Sequence, residues 1–362
     1  MSNQTNVSIF PEKYLSDQQN RLVIMAALAP VAGKTRFQPA GFPEIGHVIY
    51  STPDNQKVCI VDSAASMANH LETVCVQGFD LSLVDELDGL PYVKCIIGQN
   101  RDELVATSLS EGHRLASYYF LNGNRVINNT IEEKKFGEVL LADEFRLRNL
   151  AKKTHPLPAQ WWNVFSAIFR YDPNSLVHGI LFPAMGIKLP RVLTATLDAF
   201  GADRIATSGV KFDKISKKDP KNPGQAIFSK DEESASEIRA TFTIDLSLIR
   251  SFGRGNEGLN DAQKQLILGF ALWKIKKLIG SSFRFRSECD LELTGLQIDG
   301  KVSKVSDLAV DIETLIKNAG FQDPRVTEIY WDENELFKPA KDIPEDGSED
   351  PDDGDDQSDE DE

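Results

Sequence analysis

Arg21-Leu22-Val23-Ile24-Met25-Ala26-Ala27-Leu28-Ala29-Pro30 is an almost unbroken apolar run closed by a proline, with Gly33 three residues further on. It is too short to span a bilayer, which takes about 20 apolar residues in a helix. A signal peptide would need a positive leader, and Glu12 and Asp17 stand in its place. The reading that remains is a buried strand. Working outward, residues 1–20 are polar and predict a flexible N-terminal arm. The following stretch, Arg36-Phe37-Gln38-Pro39-Ala40-Gly41-Phe42-Pro43, has the proline and glycine content of an ordered loop. Val48–Tyr50 and Val58–Val61 flank Pro53-Asp54-Asn55 and predict a hairpin. Asp62 or Ser63 then caps a helix whose apolar positions Met67, Leu71, Val74 and Cys75 keep helical spacing.

Further helices are predicted over about 102–120, 161–169, 190–200 and 261–278, with Gly201 just past the end of the third. Strands are predicted over 238–246 and over Phe283-Arg284-Phe285-Arg286, which alternates with period two. From Tyr330 onward the chain drifts into an acidic tail. Strands and helices are interspersed, so the body is α/β or α+β.

The chain has 362 residues, with 55 acidic and 40 basic side chains and a formal charge of -15. Thirteen of the acids fall in residues 342–362, which hold no Lys or Arg, leaving 42 acids against 40 bases in the body. The net charge therefore belongs to the tail, whose composition predicts disorder. It does not argue against a nucleic-acid-binding body over residues 21–341. Cys59, Cys75, Cys95 and Cys289 include no C-x-x-C pair, which excludes a zinc ribbon and fits a reduced, cytoplasmic protein.

Familiar catalytic patterns fail on spacing. Gly33-Lys34-Thr35 has Leu28 where a phosphate-binding loop needs glycine. Gly253, Gly255 and Gly258 match G-x-G-x-x-G, but no βαβ repeat follows. That loop, with Arg254, is either a turn needing positive φ or a close approach of backbone to a phosphate. The five histidines, among them His113 and His155, show no metal-ligand spacing. No cofactor or metal is expected. Ser63, Ser66 and Asn69 instead put small donors at a helix start, an arrangement that suits phosphate or a plain N-cap. Ser108, Glu111, His113, Arg114 and Ser117 crowd one predicted helix and read as its solvated face. Residues 262–287 hold Lys264, Lys274, Lys276, Lys277, Arg284 and Arg286 with no acid, a local excess of the kind that neutralises phosphates or merely faces solvent. Residues 209–236, with Lys211, Lys214, Lys217, Lys218 and Lys221 around Pro220, Pro223 and Gly224, predict a protruding basic arm.

Several of these blocks together resemble the Cas-seven-type backbone subunit of CRISPR type I-G (formerly I-U) effector complexes, a family of the RAMP superfamily. They are Arg36-Phe37-Gln38-Pro39 with Gly41-Phe42-Pro43, Asp62 through Asn69 with Leu71-Glu72, and Leu90-Pro91-Tyr92-Val93. Ser108 with His113 through Ser117, Asp172 through Leu176 with His178-Gly179, Ser208 through Lys211, and Phe283 through Arg286 with Cys289-Asp290-Leu291 complete the set. The resemblance implies an α+β fold with a ferredoxin-like, RNA-recognition-motif-like core, inserted helices and a thumb-like hairpin at 209–236. It implies a non-catalytic subunit that stacks in a helical filament of its own copies along a guide crRNA. That subunit holds the sugar-phosphate backbone and presents bases to target DNA. The other partners implied are further Cascade subunits and a recruited helicase-nuclease, with no membrane. RNA-binding roles carry onto Arg36, Gln38, Ser63, Ser66, Asn69, His113, Arg114, Lys211 and Arg254, and the thumb onto Lys214, Lys217, Lys218 and Lys221. A guide of variable sequence demands contacts to phosphate and shape rather than to base edges, which agrees with the residue types present. Two alternatives stay open: a RAMP-type endoribonuclease with His113 or His155 as general base, and an interaction protein working through its acidic tail.

Overall fold

The computed structural model describes residues 11–337, apart from 17, 42–45, 80, 99, 148–155, 184–185, 206–231, 282 and 287. The proposed thumb lysines Lys211, Lys214, Lys217, Lys218 and Lys221, as well as His155 and the tail 342–362, lie outside the described residues.

Arg21–Pro30 is a strand that alternates along its length, with Leu22, Ile24, Ala26 and Leu28 buried. It sits inside an eight-stranded sheet, between Cys289–Ile298 on one side and Glu237–Asp245 on the other. Leu193–Phe200, Lys57–Asp62 and Ile49–Ser51 continue beyond Glu237–Asp245, and every pairing is antiparallel. Phe283–Arg286 and Lys301–Ser303 flank Cys289–Ile298. In chain order, the four long strands occupy the sequence fourth, first, third, second across the sheet. The helix Ala64–Thr73 falls between the first and second, and Asp261–Gly280 between the third and fourth. Both helices pack on the face that carries Leu22, Ile24, Phe242 and Leu197, which is where the core lies. A second sheet of five strands is built around Tyr92–Ile97, which pairs in parallel with Val326–Tyr330. The protein is a mixed α+β structure. Among the described residues no helix is long and apolar enough to cross a membrane.

The structure departs from the sequence reading in four stretches. Residues 190–200 are a strand, Leu193–Phe200, and not a helix. Leu193, Ala195, Leu197 and Ala199 face the core while Thr194 and Thr196 are exposed, so the period is two, and pairing on both edges outweighs the helix propensity of Ala and Leu. Gly201 then turns the chain at φ +62°. The predicted 102–120 helix is likewise a strand, Glu103–Thr107, followed by turns and a short helix, Tyr118–Leu121. Thr107 and Ser110 bond each other's backbone there, each backbone N–H donating to the other's hydroxyl, which offers the chain an alternative to helix. Residues 11–16 form a helix against Asp261–Gly280, and the Gln19 amide donates to Asp299, so this part of the expected loose arm is docked. Val326–Tyr330, to which the sequence reading assigned no element, is a central strand of the five-stranded sheet, and Trp331 beside it is buried.

Candidate nucleic-acid interface

The Lys57–Asp62 strand ends where the Ala64–Thr73 helix begins, and Ser63 is the N-cap: its Oγ accepts from Ser66 N at 3.2 Å. Asp62 is 2% exposed and organises this corner. Its Oδ1 accepts from Ser63 N at 3.0 Å, and its Oδ2 accepts from Ser66 Oγ at 3.0 Å. His70 Nε2 lies 3.3 Å from Oδ2, and Arg286 Nη2 lies 3.4 Å from Oδ1. The buried carboxylate is thus satisfied from four directions, as a buried charge must be. Ala64 and Ala65 occupy the first turn, whose N–H groups have no intrahelical acceptor and carry the positive end of the helix dipole.

The 36–40 loop lies across this corner. Phe37 is buried and exchanges two backbone hydrogen bonds with Glu233, each 2.9 Å. Gln38 N donates to Glu288 O and Ala40 N to Val61 O, both at 2.9 Å. Arg286 Nη1 ties the loop to the strand end by donating to the carbonyls of Gln38 at 3.0 Å and Val61 at 3.1 Å. Residues far apart in sequence are thereby gathered: Gln38 at the loop, Ser63 and Ser66 at the helix start, and exposed Asn69 one turn on. The side-chain amides of Gln38 and Asn69 have no partner among the described residues. Exposed Arg36 stands beside the group, 3.2 Å from Glu232. Amides, the Ser63 hydroxyl and free helix N–H groups on one surface can donate to phosphate and sugar oxygens without reading bases, the Ser66 hydroxyl being spent on Asp62.

The other expected site residues fall elsewhere. Arg114 is buried and not on a solvated helix face: Nε and Nη2 grip the two oxygens of Glu72 at 2.7 and 2.9 Å, and Nη1 donates to Gly179 O at 3.3 Å. Ser108 and Ser117 are buried with it, which corrects the sequence reading of that polar cluster. His113 is exposed, 3.7 Å from Glu111. Arg254 is exposed on the tight hairpin of Gly253–Arg254 with Glu257–Gly258. A Cβ on Gly253 would sit 2.0 Å from Leu259 O and one on Gly258 2.3 Å from Phe252 O, while Gly255 has room but holds φ +61°, so crowding and a tight turn account for the glycine spacing. That hairpin helps line a separate cleft with Asn163, Ser166 and Arg170.

The basic run 262–287 is not a basic stripe. Lys274 is fully buried, Lys264 pairs with Asp261 and Lys277 with Glu86, and Arg286 is committed to Asp62. Arg284 remains exposed.

Sequence reasoning missed His70 and Arg286 as members of the corner. It also missed a second assembly beneath the other end of the 64–73 helix. Glu72 Oε1 accepts from Asn174 Nδ2 at 2.6 Å as well as from Arg114. The Lys274 ammonium donates to Asn174 Oδ1 and, at 2.9 Å, to His178 Nε2. Asp172 accepts from Ser175 Oγ at 2.6 Å, and burial pushes its carboxyl up to about 7. Burial and nearby cations push Lys274 and His178 down. The sequence signal was polarity inside Asp172–His178, which contains Pro173 and follows the helix Trp161–Tyr171.

The family model described as CRISPR-associated protein GSU0053 matches residues 22–204. No curated protein matches the chain in sequence. Among solved structures, the crystal structure of Thermofilum pendens Csc2 overlaps 85% of this chain and 74% of its own, at 12% identity and a TM-score of 0.28, too loose an overlap to carry an argument.

Proposed function

The chain belongs to the CRISPR-associated protein GSU0053 family, and on that premise we propose that it is a non-catalytic backbone subunit of a Cascade-type effector, of type I-G. It lies along guide crRNA with further copies of itself, holds the sugar-phosphate backbone and presents the bases to target DNA. Other Cascade subunits and a helicase-nuclease complete the assembly. The observation that carries this reading is the corner where Gln38, Ser63, Ser66 and Asn69 converge on a helix start. The Gln38 and Asn69 amides, the Ser63 hydroxyl and the first-turn N–H groups suit oxygens of the RNA backbone, while Ser66 holds the corner through Asp62, and the reading needs no base-specific contact. The sheet order of the four long strands and their two crossover helices support a ferredoxin-like core. Residues 209–236 keep the thumb role, and shortening Lys214–Gly224 is expected to lower target pairing.

The test is co-expression with a CRISPR array, followed by the 260/280 nm absorbance ratio of the purified protein. Co-purified guide supports the reading, and protein free of RNA counts against it. Incubation with repeat RNA separates the endoribonuclease alternative. Specific cleavage by the chain alone, lost in His113→Ala or His155→Ala, would overturn the non-catalytic role.

A further inference from the structure

Between the turn at Gly112–Arg114 and the hairpin of Ile180–Phe182 with Ile187–Leu189 lies a cleft of about 500 Å³. His113, Arg114, His178, Lys188 and Arg191 line it, and no carboxylate does among the described residues. Gly179, at φ +77°, lets the chain pass beneath Arg191; a Cβ there would sit 2.9 Å from Leu189 O. Arg191 Nη1 donates to Ala64 O at 2.8 Å, which joins the cleft to the first turn of the 64–73 helix. Its Nε and Nη2 have no partner among the described residues.

Under the cleft the buried network leaves two polar atoms without a partner among the described residues, Asp172 Oδ1 and His178 Nδ1. An ammonium has only donors, so the contact from Lys274 makes His178 Nε2 the accepting nitrogen and puts the ring proton on Nδ1. That Nδ1 is buried and has no partner among the described residues. A buried N–H without an acceptor is a costly omission. Charge is also out of balance. Arg114, Arg191 and Lys274 face Glu72 and Asp172, and Asp172 spends much of its time protonated near neutral pH. Both oxygens of Glu72 are already taken. An anion rich in acceptor oxygens, entering from the cleft, would balance these cations and accept from this donor.

We propose that this cleft binds a phosphate group of the guide RNA, held by Arg191 and Lys188 and accepting from His178 Nδ1 directly or across one water. The proposal rests on the RNA reading above and adds a second phosphate position to the corner at Ser63. Inorganic phosphate probes the pocket without RNA. It is expected to raise the Tm of the wild-type chain and to leave Arg191→Ala and Lys188→Glu unchanged, with Arg191→Lys partly responsive. Guide RNA affinity is expected to fall about tenfold in Lys188→Glu, and its salt slope to drop by about 1. Lys188 is exposed, so its variants test the cleft even if Arg191→Ala does not fold.

Wild-type-like RNA affinity and salt slope in both Lys188→Glu and Arg191→Lys would overturn the cleft and leave the RNA function standing. Phosphate stabilisation lost in the variants, in a chain that binds no RNA, would overturn the RNA source and with it the proposal as stated. No phosphate stabilisation in a wild-type chain that also binds no guide RNA would overturn both readings.

Discussion

Arg114 and Glu72 show how a residue that looks like an RNA contact can be structural. Each is less than one-tenth exposed, and their bidentate pair joins the 64–73 helix to the turn before Leu115. Removing one partner strands the other charge in the core. Glu72→Ala is therefore expected to cost about 3–5 kcal/mol in chemical denaturation. A loss under about 1 kcal/mol would show a surface-like pair instead. Asp172 gives a second test. Its carboxyl lies at about 7 in the folded protein against an ordinary 3.8, raised mainly by burial. Between those values the folded chain holds a proton that the unfolded chain has released. The stability this group contributes is fully present in acid and is lost as pH rises from about 4 to about 7. Asp172→Asn cannot ionise, so its Tm relative to wild type is expected to climb between pH 5 and pH 8. A difference that stays flat across that range would contradict the raised value.

At the scale of elements, the sheet centre and its two crossover helices were legible because their patterns are local. Arg21–Pro30 is an apolar run closed by a proline, Glu237–Asp245 alternates, and Asp261–Gly280 is a long apolar stretch opened by a capping box of Asn260 and Gln263. Leu193–Phe200 was misread although it alternates, because Ala and Leu also suit a helix and only its neighbours on both edges decide between them. The corner at Ser63 was half legible. The N-cap is a local signal, whereas the tie from Arg286 to Asp62 spans 224 residues and leaves no trace in spacing. The cap can be tested by itself. Ser63→Ala is expected to cost about 1 kcal/mol of stability. If the corner also holds RNA, guide affinity is expected to fall further in Ser63→Ala/Gln38→Ala, whose second substitution removes an amide that supports no other element. Unchanged guide affinity in that double variant would remove the corner from the interface.

At the scale of the whole molecule, the distribution of charge matters more than its total. Of the four lysines in residues 262–287, Lys274 is buried and Lys264 and Lys277 are paired with carboxylates, so the proposed interface is polar donors and helix N–H groups edged by a few cations. The tail 342–362 carries 13 carboxylates. Tethered to the body, it is expected to compete with weakly bound RNA, at an effective concentration of about the millimolar range for a short flexible connection. Its deletion is expected to tighten binding of short random RNA at low salt, and the gain is expected to shrink as salt rises. Equal affinities at low salt would leave the tail a solubilising role only.

The central claim is that the chain holds guide RNA by its backbone. Equilibrium binding of two guides with unrelated spacers, each measured across a salt series, tests it most directly. The account predicts equal affinities for the two guides at every salt concentration and a linear fall of log affinity with log salt, at a slope of about -0.7 for each phosphate held. A tenfold or larger preference for one spacer at constant salt, or an affinity indifferent to salt, would contradict it.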